Sequence, residues 1–597
     1  MELILQVFYS VFSGSLLAAA IPNELYLFGC PLLTLIAFIP YYLIFNSIKN
    51  YRQAFLCGFF QAITTHLISS FWLAYFKDFA ILTLGASALG TGMIGGFLAL
   101  FIYLPFSSSK KHNRLNQYTL NQNFFDSVSF RILYFAALYT IYEWVKSCGF
   151  LGYPWGTVSS AIYKWPLLMQ LSSITGTYGI TFVLVLLNAF FAEILLYYKE
   201  SEEKSSNSLF SLKQTGCLCI VLFACILVHG LFQYTIPRKP VKQLNTLIVQ
   251  QNSDPWKEKT DTDSILTSEK LTDEILYSIK EDEEPVNLVV WSEGCLKHVF
   301  PGAENYYNYH PEERPLLKYV NEKNVPFIIG GAFLKDRAQK KYFNAALLFD
   351  KNGKFRGCYG KNHLVPFAEA LPFIEYPSVK AIMQKIIGIS AGWTPGDQYV
   401  YFDVPCRITS DYKLPAVKNI DLTKTYDQQK REEEQPVTVR LSTPICFDDA
   451  FTDIMRPMFL NGAELFVNIT DDSWSLKESS EIQHFVIASY RSIEYRTTMI
   501  RSTNAGYSVV ITPNGKVISD LPLFQATSAA FDVPVYKRVM TTYARFGNWL
   551  PYSLIILFVI YSVYSYMIFT ESDFIPSERK MKSKKKKKSK LHKKNEK

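Results

Sequence analysis

Apolar residues are arranged in two different ways along this chain. Up to about residue 235 they form long, nearly unbroken runs; from 236 to 546 they form short runs with ordinary polar mixing; one more long run then precedes a lysine-rich end. Crossing a bilayer as a helix takes roughly 20 predominantly apolar residues. Seven runs of the first part approach that length, at about 3–21, 27–46, 54–75, 80–104, 130–146, 177–198 and 215–235, and an eighth lies at about 548–570. The pattern predicts a polytopic α-helical membrane domain of seven transmembrane helices over 1–235, a separate domain over 236–546, an eighth transmembrane helix over 547–570 and a tail over 571–597. Ala18-Ala19-Ala20 resembles a signal cleavage site, but the segment before it carries Glu2 and no basic residue, which favours a retained helix.

Eight crossings put both termini on one side of the membrane. Short loops on the cytoplasmic side are enriched in Lys and Arg. One set of loops holds Lys49, Arg52, Lys110, Lys111, Arg114, Lys199, Lys204 and Lys213, whereas the other holds Lys77, Lys146 and Lys164. The first set shares its side with the basic tail, so the termini are expected in the cytoplasm and 236–546 outside it. Arg238, Lys239 and Lys242 run against this, but long translocated domains obey the charge rule weakly.

Some polar residues fall inside the runs. Glu193 and His229 lie near run ends and are expected to reach the interface; His66 lies mid-run and Glu143 near the outer end of the fifth run, and an ionisable group inside a run is a functional candidate. The connection 147–176 is apolar but broken by Gly149, Gly152, Pro154, Gly156 and Pro166, and reads as an interfacial or re-entrant segment.

In 236–546, strand-like runs recur at 244–250, 286–291, 326–332, 343–349, 440–446, 464–469 and 508–512, with helix-like stretches at 268–280, 315–323, 449–460 and 481–497 between several of them. This alternation predicts an α/β sandwich. The polar segment 407–437, with Lys430-Arg431-Glu432-Glu433-Glu434, reads as an insertion on the surface.

Charge first suggests a nucleic-acid ligand and then withdraws it. The net charge is +9, but residues 579–597 alone hold twelve of the 61 basic groups and one of the 52 acidic ones, so everything else is at −2. Only 19% of residues are charged, against about 25% in soluble proteins, in keeping with a membrane location. His298, His310, His363 and His484 show no paired metal-ligand spacing, and no glycine-rich phosphate loop follows a strand.

Three residues end strand-like runs, where sites gather in α/β sheets. Glu293 follows Val289-Val290-Trp291-Ser292, Lys361 opens Lys-Asn-His-Leu-Val-Pro-Phe-Ala-Glu, and Cys446 ends Leu441-Ser-Thr-Pro-Ile-Cys. A glutamate can take a thiol proton, a lysine can lower a thiol pKa and stabilise an oxyanion, and a cysteine can carry an acyl group as a thioester. Spacing alone does not bring the three together; each taken singly is an ordinary core cysteine or surface charge.

The surrounding motifs are more specific. Trp291-Ser-Glu-Gly294, Tyr359-Gly-Lys-Asn-His-Leu-Val-Pro-Phe-Ala-Glu369 and Pro444-Ile-Cys-Phe-Asp448 resemble the three catalytic blocks of the nitrilase (carbon–nitrogen hydrolase) superfamily. The middle block is similar to the form seen in bacterial apolipoprotein N-acyltransferases. Tyr142-Glu-Trp144 with Gly152-Tyr-Pro-Trp155, Gly176–Ile180 with Asn188, Val467–Trp474, and Arg491 through Gly506 resemble further parts of that family. The resemblance implies an αββα nitrilase-like domain outside the membrane, with Glu293 as general base, Lys361 as oxyanion stabiliser, Cys446 as nucleophile, Glu369 as a second acidic residue orienting the site, and the Phe447 N–H as second oxyanion donor. It implies ping-pong transfer of a fatty acyl chain from a phospholipid to the α-amine of a diacylglyceryl-cysteine on a lipoprotein, by a monomer in the bacterial inner membrane with its catalytic domain in the periplasm, without metal, cofactor or nucleic acid. Two departures stand out: Phe447-Asp448 replaces the usual Tyr-Glu, so that a hydroxyl is lost and Asp reaches less far than Glu, and Trp291-Ser-Glu-Gly294 replaces the usual Trp-Pro-Glu-Ser/Thr. A membrane-tethered amidase, and a transporter or receptor with a ligand-binding outer domain, are the competing readings; the second leaves the Glu, Lys and Cys blocks unexplained.

Overall fold

The computed structural model describes residues 2–76, 80–115, 125, 127–199, 206–254, 257, 260–280, 282–370, 376–381, 392–409 and 437–574. The basic tail at 579–597 and nearly all of the 407–437 segment lie outside the described residues.

Helices form at the predicted apolar runs, with one exception. Long helices cover Glu2–Ala20, Tyr51–Ser69, Ser87–Leu115, Val128–Lys146, Thr177–Lys199, Ser206–Thr235 and Trp549–Phe574. Five described helical stretches are long and apolar enough to cross a membrane: Glu2–Ala20, Thr83–Ser107, Thr177–Lys199, Leu209–Thr235 and Trp549–Met567. Tyr51–Ser69 and Val128–Lys146 are as long as the first of these but more polar, with Gln61 and His66 in one and Arg131 and Glu143 in the other. The run at 27–46 is the exception. It splits into a 3-10 turn, Pro31–Leu35, and a short helix, Ile39–Ile44. Pro31 and Pro40 sit in the first turn of each piece, where their missing N–H costs nothing, and Pro40 would remove a bond from one continuous helix. Helices Tyr51–Ser69 and Ser87–Leu115 touch backbone to backbone: a Cβ on Gly58 would lie 2.3 Å from the Gly95 carbonyl oxygen. Helices Ser206–Thr235 and Trp549–Phe574 turn apolar side chains outwards, including Ile220, Val228, Phe232, Ile556 and Tyr566, a face suited to lipid.

Three of the four polar residues singled out in the runs, Glu193, Glu143 and His66, are paired, while His229 Nε2 is buried without a hydrogen-bond partner among the described residues. Glu193 is not at an interface but buried, accepting bonds from Arg131 Nε at 3.0 Å and Tyr42 at 2.6 Å. Glu143 accepts from the Val158 N–H at 2.8 Å and the Thr181 hydroxyl at 2.5 Å, and His66 Nε2 lies 2.8 Å from the Ser87 hydroxyl. Glu143 thereby pins the 147–176 connection, which folds as three one-turn helices, Val158–Ala161, Pro166–Met169 and Ser172–Thr175.

Among the described residues the second region holds fourteen strands: β1 (Pro240–Gln250), β2 (Leu288–Trp291), β3 (Leu296–Phe300), β4 (Phe327–Asp336), β5 (Lys341–Phe349), β6 (Phe355–Gly360), β7 (Tyr401–Pro405), β8 (Arg407–Ile408), β9 (Thr438–Ser442), β10 (Leu465–Thr470), β11 (Thr498–Thr503), β12 (Val509–Ile511), β13 (Val517–Asp520) and β14 (Thr527–Tyr536). They form two sheets, in the order β14-β1-β2-β4-β5-β6, with β3 and β8 attached, and β13-β12-β11-β10-β9-β7. Period-two alternation sorts the first sheet's side chains. Leu244, Ile248, Val290, Ile328 and Ala346 face the second sheet in one core, while Leu247, Val249, Trp291 and Ile329 pack in another with helices Thr262–Leu276 and Leu316–Lys323. Helices Thr452–Leu460 and Glu478–Tyr495 cover the second sheet, giving the αββα sandwich.

The two regions share one apolar core. Helix Glu478–Tyr495 is buried from Ser479 onwards because it lies between the second sheet and the helical region. Gln483 donates to the carbonyls of Pro22 and Ser69 at 2.6 Å each and accepts from Trp72 at 3.1 Å. Tyr490 donates to the Ser159 carbonyl at 2.7 Å, and Trp549 to the Ile174 carbonyl at 2.8 Å.

Candidate active site

Glu293 lies two residues beyond β2 and Lys361 one beyond β6, both in the first sheet; Cys446 lies four beyond β9, in the second. The gap between the sheets brings them together. Lys361 Nζ donates to Glu293 at 3.2 Å and to Glu369 at 2.8 Å. Asn344, on β5, donates from Nδ2 to Glu293 at 2.6 Å and to Glu369 at 2.9 Å. The other Glu293 oxygen accepts from the Asp471 N–H at 2.8 Å, just past β10. Glu369 is anchored in turn by the Val365 N–H at 2.8 Å.

Cys446 was expected to end a strand. The strand stops at Ser442 instead, and Cys446 opens a 3-10 turn, Cys446–Ala450, with φ at 46°. A left-handed conformation in a residue with a Cβ costs about 1–2 kcal/mol, so the surroundings must hold it. Asp448 supplies much of that hold. Its carboxylate accepts from the Ile445 N–H at 3.1 Å, the Asn362 N–H at 3.2 Å, the His363 N–H at 2.7 Å and the Tyr359 hydroxyl at 2.9 Å, fastening the turn to the Lys361 loop. The first bond of the turn runs from Asp448 N to Ile445 O at 3.0 Å, so the Phe447 N–H precedes its ladder.

The three groups are shifted in different ways by their surroundings. Burial lifts the Cys446 thiol well above its usual pKa; the charge on Glu293 adds to this and that on Lys361 opposes it. Burial also raises Glu293, against the pull of Lys361. Burial disfavours the Lys361 ammonium, but Cys446 and the two glutamates outweigh it and hold its pKa well above the ordinary value. At rest this gives a neutral thiol near a carboxylate that binds protons more readily than a free glutamate, with a cation bonded to both carboxylates. Among the described residues no cluster of three or more His, Cys, Asp or Glu side chains is disposed to hold a metal.

Residues 13–190 match the family described as the apolipoprotein N-acyltransferase N-terminal domain, and residues 248–537 match the carbon-nitrogen hydrolase family. The chain is 36% identical to apolipoprotein N-acyltransferase 2 of Treponema denticola, over 94% of this chain and 97% of that one. The chain belongs to the apolipoprotein N-acyltransferase family. It is also 35% identical to apolipoprotein N-acyltransferase 2 of Treponema pallidum over 90% of this chain and 91% of that one, and 26% identical to the apolipoprotein N-acyltransferase of Borreliella burgdorferi over 92% and 94%.

In this apolipoprotein N-acyltransferase family member, the Cys446 turn leans on the helical region through aromatic rings. Phe447 stacks on Trp155 with centroids 5.2 Å apart, and Trp155 stacks on Tyr153 at 5.4 Å. Phe451 meets His363 face to face at 3.6 Å. A cavity of about 190 Å³ opens at the same junction, lined among others by Trp144, Tyr178, Ala450, Phe451, Arg491 and Tyr543. Reasoning from sequence missed Asn344, which sits mid-strand with no motif around it, and treated Asp448 as a shortened catalytic neighbour when it is the clasp of the turn.

Proposed function

We propose that the protein transfers a fatty acyl chain from a membrane phospholipid to the α-amine of an N-terminal S-diacylglyceryl-cysteine on apolipoproteins, the last step of lipoprotein maturation. The observation that carries this reading is the convergence of the Glu293 carboxylate and Lys361 ammonium beside Cys446, at a turn stacked against the apolar helical region. As Cys446 Sγ attacks the ester carbonyl, Glu293 takes the thiol proton. The carbonyl oxygen becomes an oxyanion facing Lys361 Nζ and the Phe447 N–H. Collapse breaks the acyl C–O bond; Glu293 returns the proton to the departing alkoxide, and a lysophospholipid leaves the acyl group on sulfur. The neutral amine of the acceptor then attacks the thioester, Glu293 takes its proton, and the thiolate leaves and is reprotonated. Glu369 holds Lys361 in place. The charge asymmetry of the loops supports an inner-membrane location with the catalytic domain in the periplasm, both termini in the cytoplasm, and the domain division given above; the enzyme acts as a monomer and needs no cofactor.

The test is the purified full-length protein in mixed micelles with phospholipid and a diacylglyceryl-cysteine peptide. N-acylated peptide and lysophospholipid are expected in equal amounts, and Cys446→Ala should form neither acyl-enzyme nor product. Product from that variant would overturn the mechanism.

A further inference from the structure

Beside the turn that carries Cys446 lies a closed ring of four charged side chains from four elements that the mechanism above does not use. Asp449 comes from the turn itself, Asp472 from the loop after β10, His484 from helix Glu478–Tyr495 and Arg501 from β11. His484 Nε2 is 2.9 Å from Asp449 Oδ1, and His484 Nδ1 is 2.6 Å from Asp472 Oδ1. Arg501 closes the ring, donating to Asp449 Oδ2 from one nitrogen and to Asp472 Oδ2 at 3.0 Å from the other. The Thr470 hydroxyl adds a bond to Asp472 at 2.7 Å, and all four charged side chains are buried.

A neutral imidazole has one N–H, so it would turn a lone pair towards one of the two carboxylates. Only the imidazolium donates to both. With His484 protonated, two positive and two negative charges cancel in a site where an uncompensated charge is costly. Glu481, on the same helix, and the Trp155 ring at 5.6 Å also face this ring, Asp471 lies close enough to act on Glu481, and the charge of Asp472 reaches the Cys446 thiol. Burial and the charges of Asp472 and Asp471 push the Glu481 carboxyl well up, so it stays neutral.

The ring connects the two halves of the chemistry. Asp449 is three residues from Cys446. Asp472 follows Asp471, whose N–H fixes Glu293. We propose that His484 is a positioning residue: as an imidazolium it clamps the Cys446 turn to the loop that holds Glu293, and losing its proton slows thioester formation. This rests on the thioester reading above. Burial works against the charged ring, but Asp472 and Asp449 hold its pKa up at about 9.

The experiment follows acyl-enzyme formation in single turnovers of the full-length protein with phospholipid micelles, from pH 6 to 10, for the wild type, His484→Gln and the His484→Gln/Asp449→Asn pair. The wild-type rate is expected to fall as pH rises through about 9. His484→Gln should be at least tenfold slower at pH 7 with phospholipid KM unchanged, and should lack the limb near 9. The double variant again sets one carboxylate against one guanidinium, and should recover part of the lost rate. A His484→Gln protein with the wild-type rate, or with the same alkaline limb, or a double variant no faster than the single one, would overturn the inference. Where His484→Gln does not accumulate, the double variant decides: it must lack the limb near 9. A wild type that forms no acyl-enzyme at any pH would refute the thioester reading itself, and this inference with it.

Discussion

Replacing Asp448 by Asn isolates the clasp on the nucleophile turn, because it changes one acceptor oxygen and almost no volume. The carboxylate takes four donors: the N–H groups of Ile445, Asn362 and His363 and the Tyr359 hydroxyl. An asparagine keeps one acceptor oxygen, enough for two of them, and turns an NH2 towards the rest. Two lost bonds to a charged acceptor, at about 1.5–3 kcal/mol each, give ~3–6 kcal/mol. For a domain of this size that corresponds to a thermal midpoint lower by ~6–12 °C, at about 2 °C per kcal/mol. The freed turn should also relax from its positive φ, so acyl-enzyme formation should slow by at least tenfold. Burial pushes the Asp448 carboxyl up to about 7, although the His363 N–H favours its charge. The ionised form is the one that satisfies all four donors, so the difference in acylation rate should be full at pH 8 and narrow as pH falls through 7; the folded carboxyl also takes up its proton more readily than the unfolded one, so wild type should gain stability over the variant as pH falls from 8 to 6. Thermal unfolding in detergent and single-turnover acylation, both at pH 8 and pH 6, measure this. A midpoint within 2 °C of wild type with an unchanged acylation rate at pH 8 would show that Asp448 does not hold the turn.

Three further outcomes are expected. Glu293 accepts a proton only when ionised, and burial raises its pKa, so the acid limb of acylation should lie above the ordinary glutamate value of about 4.3, and Glu293→Gln should form no thioester; a limb in the ordinary range would remove Glu293 as the base. Trp155→Ala removes a buried ring stacked on Phe447 and should cost about 3–5 kcal/mol of stability and slow acylation, read by the same two assays; an unaffected acylation rate in the folded variant would separate the stack from the chemistry. Deleting 579–597 removes charge on the cytoplasmic face of the proposed topology, and a correctly inserted truncation should keep full activity in the micelle assay.

The residues best legible in the sequence were those that local order marks. Val289–Trp291 before Glu293 and Leu441–Cys446 are runs that stop at a candidate site residue; Glu293 lies two residues past its strand, while Cys446 lies four past its own instead of ending it. The 3.6-residue pattern placed the helices Leu316–Lys323 and Thr452–Leu460 within a few residues. Strand β11, Thr-Met-Ile-Arg-Ser-Thr, escaped the apolar pattern because it is fully buried without being apolar: two nitrogens of Arg501 bond to the ring, so burial leaves no hydrophobic signature. Asn344 and His484 were invisible for a related reason, since their partners lie 25 and 51 or 12 and 35 residues away and no spacing rule connects them. Apolar content overstated the continuity of 27–46, where proline geometry overrode hydropathy.

Helix Glu478–Tyr495 has no side left for water. A free-standing sandwich would have to expose the face that now receives Pro22, Ser69 and Ser159, together with unpaired donors on Gln483 and Tyr490. Synthesis runs from the N-terminus, so the helical region that carries those acceptors is already made when the helix emerges. The inserted helices then act as the template on which the catalytic half completes its own folding, and attachment to the membrane becomes a condition of assembly as well as of access to substrate.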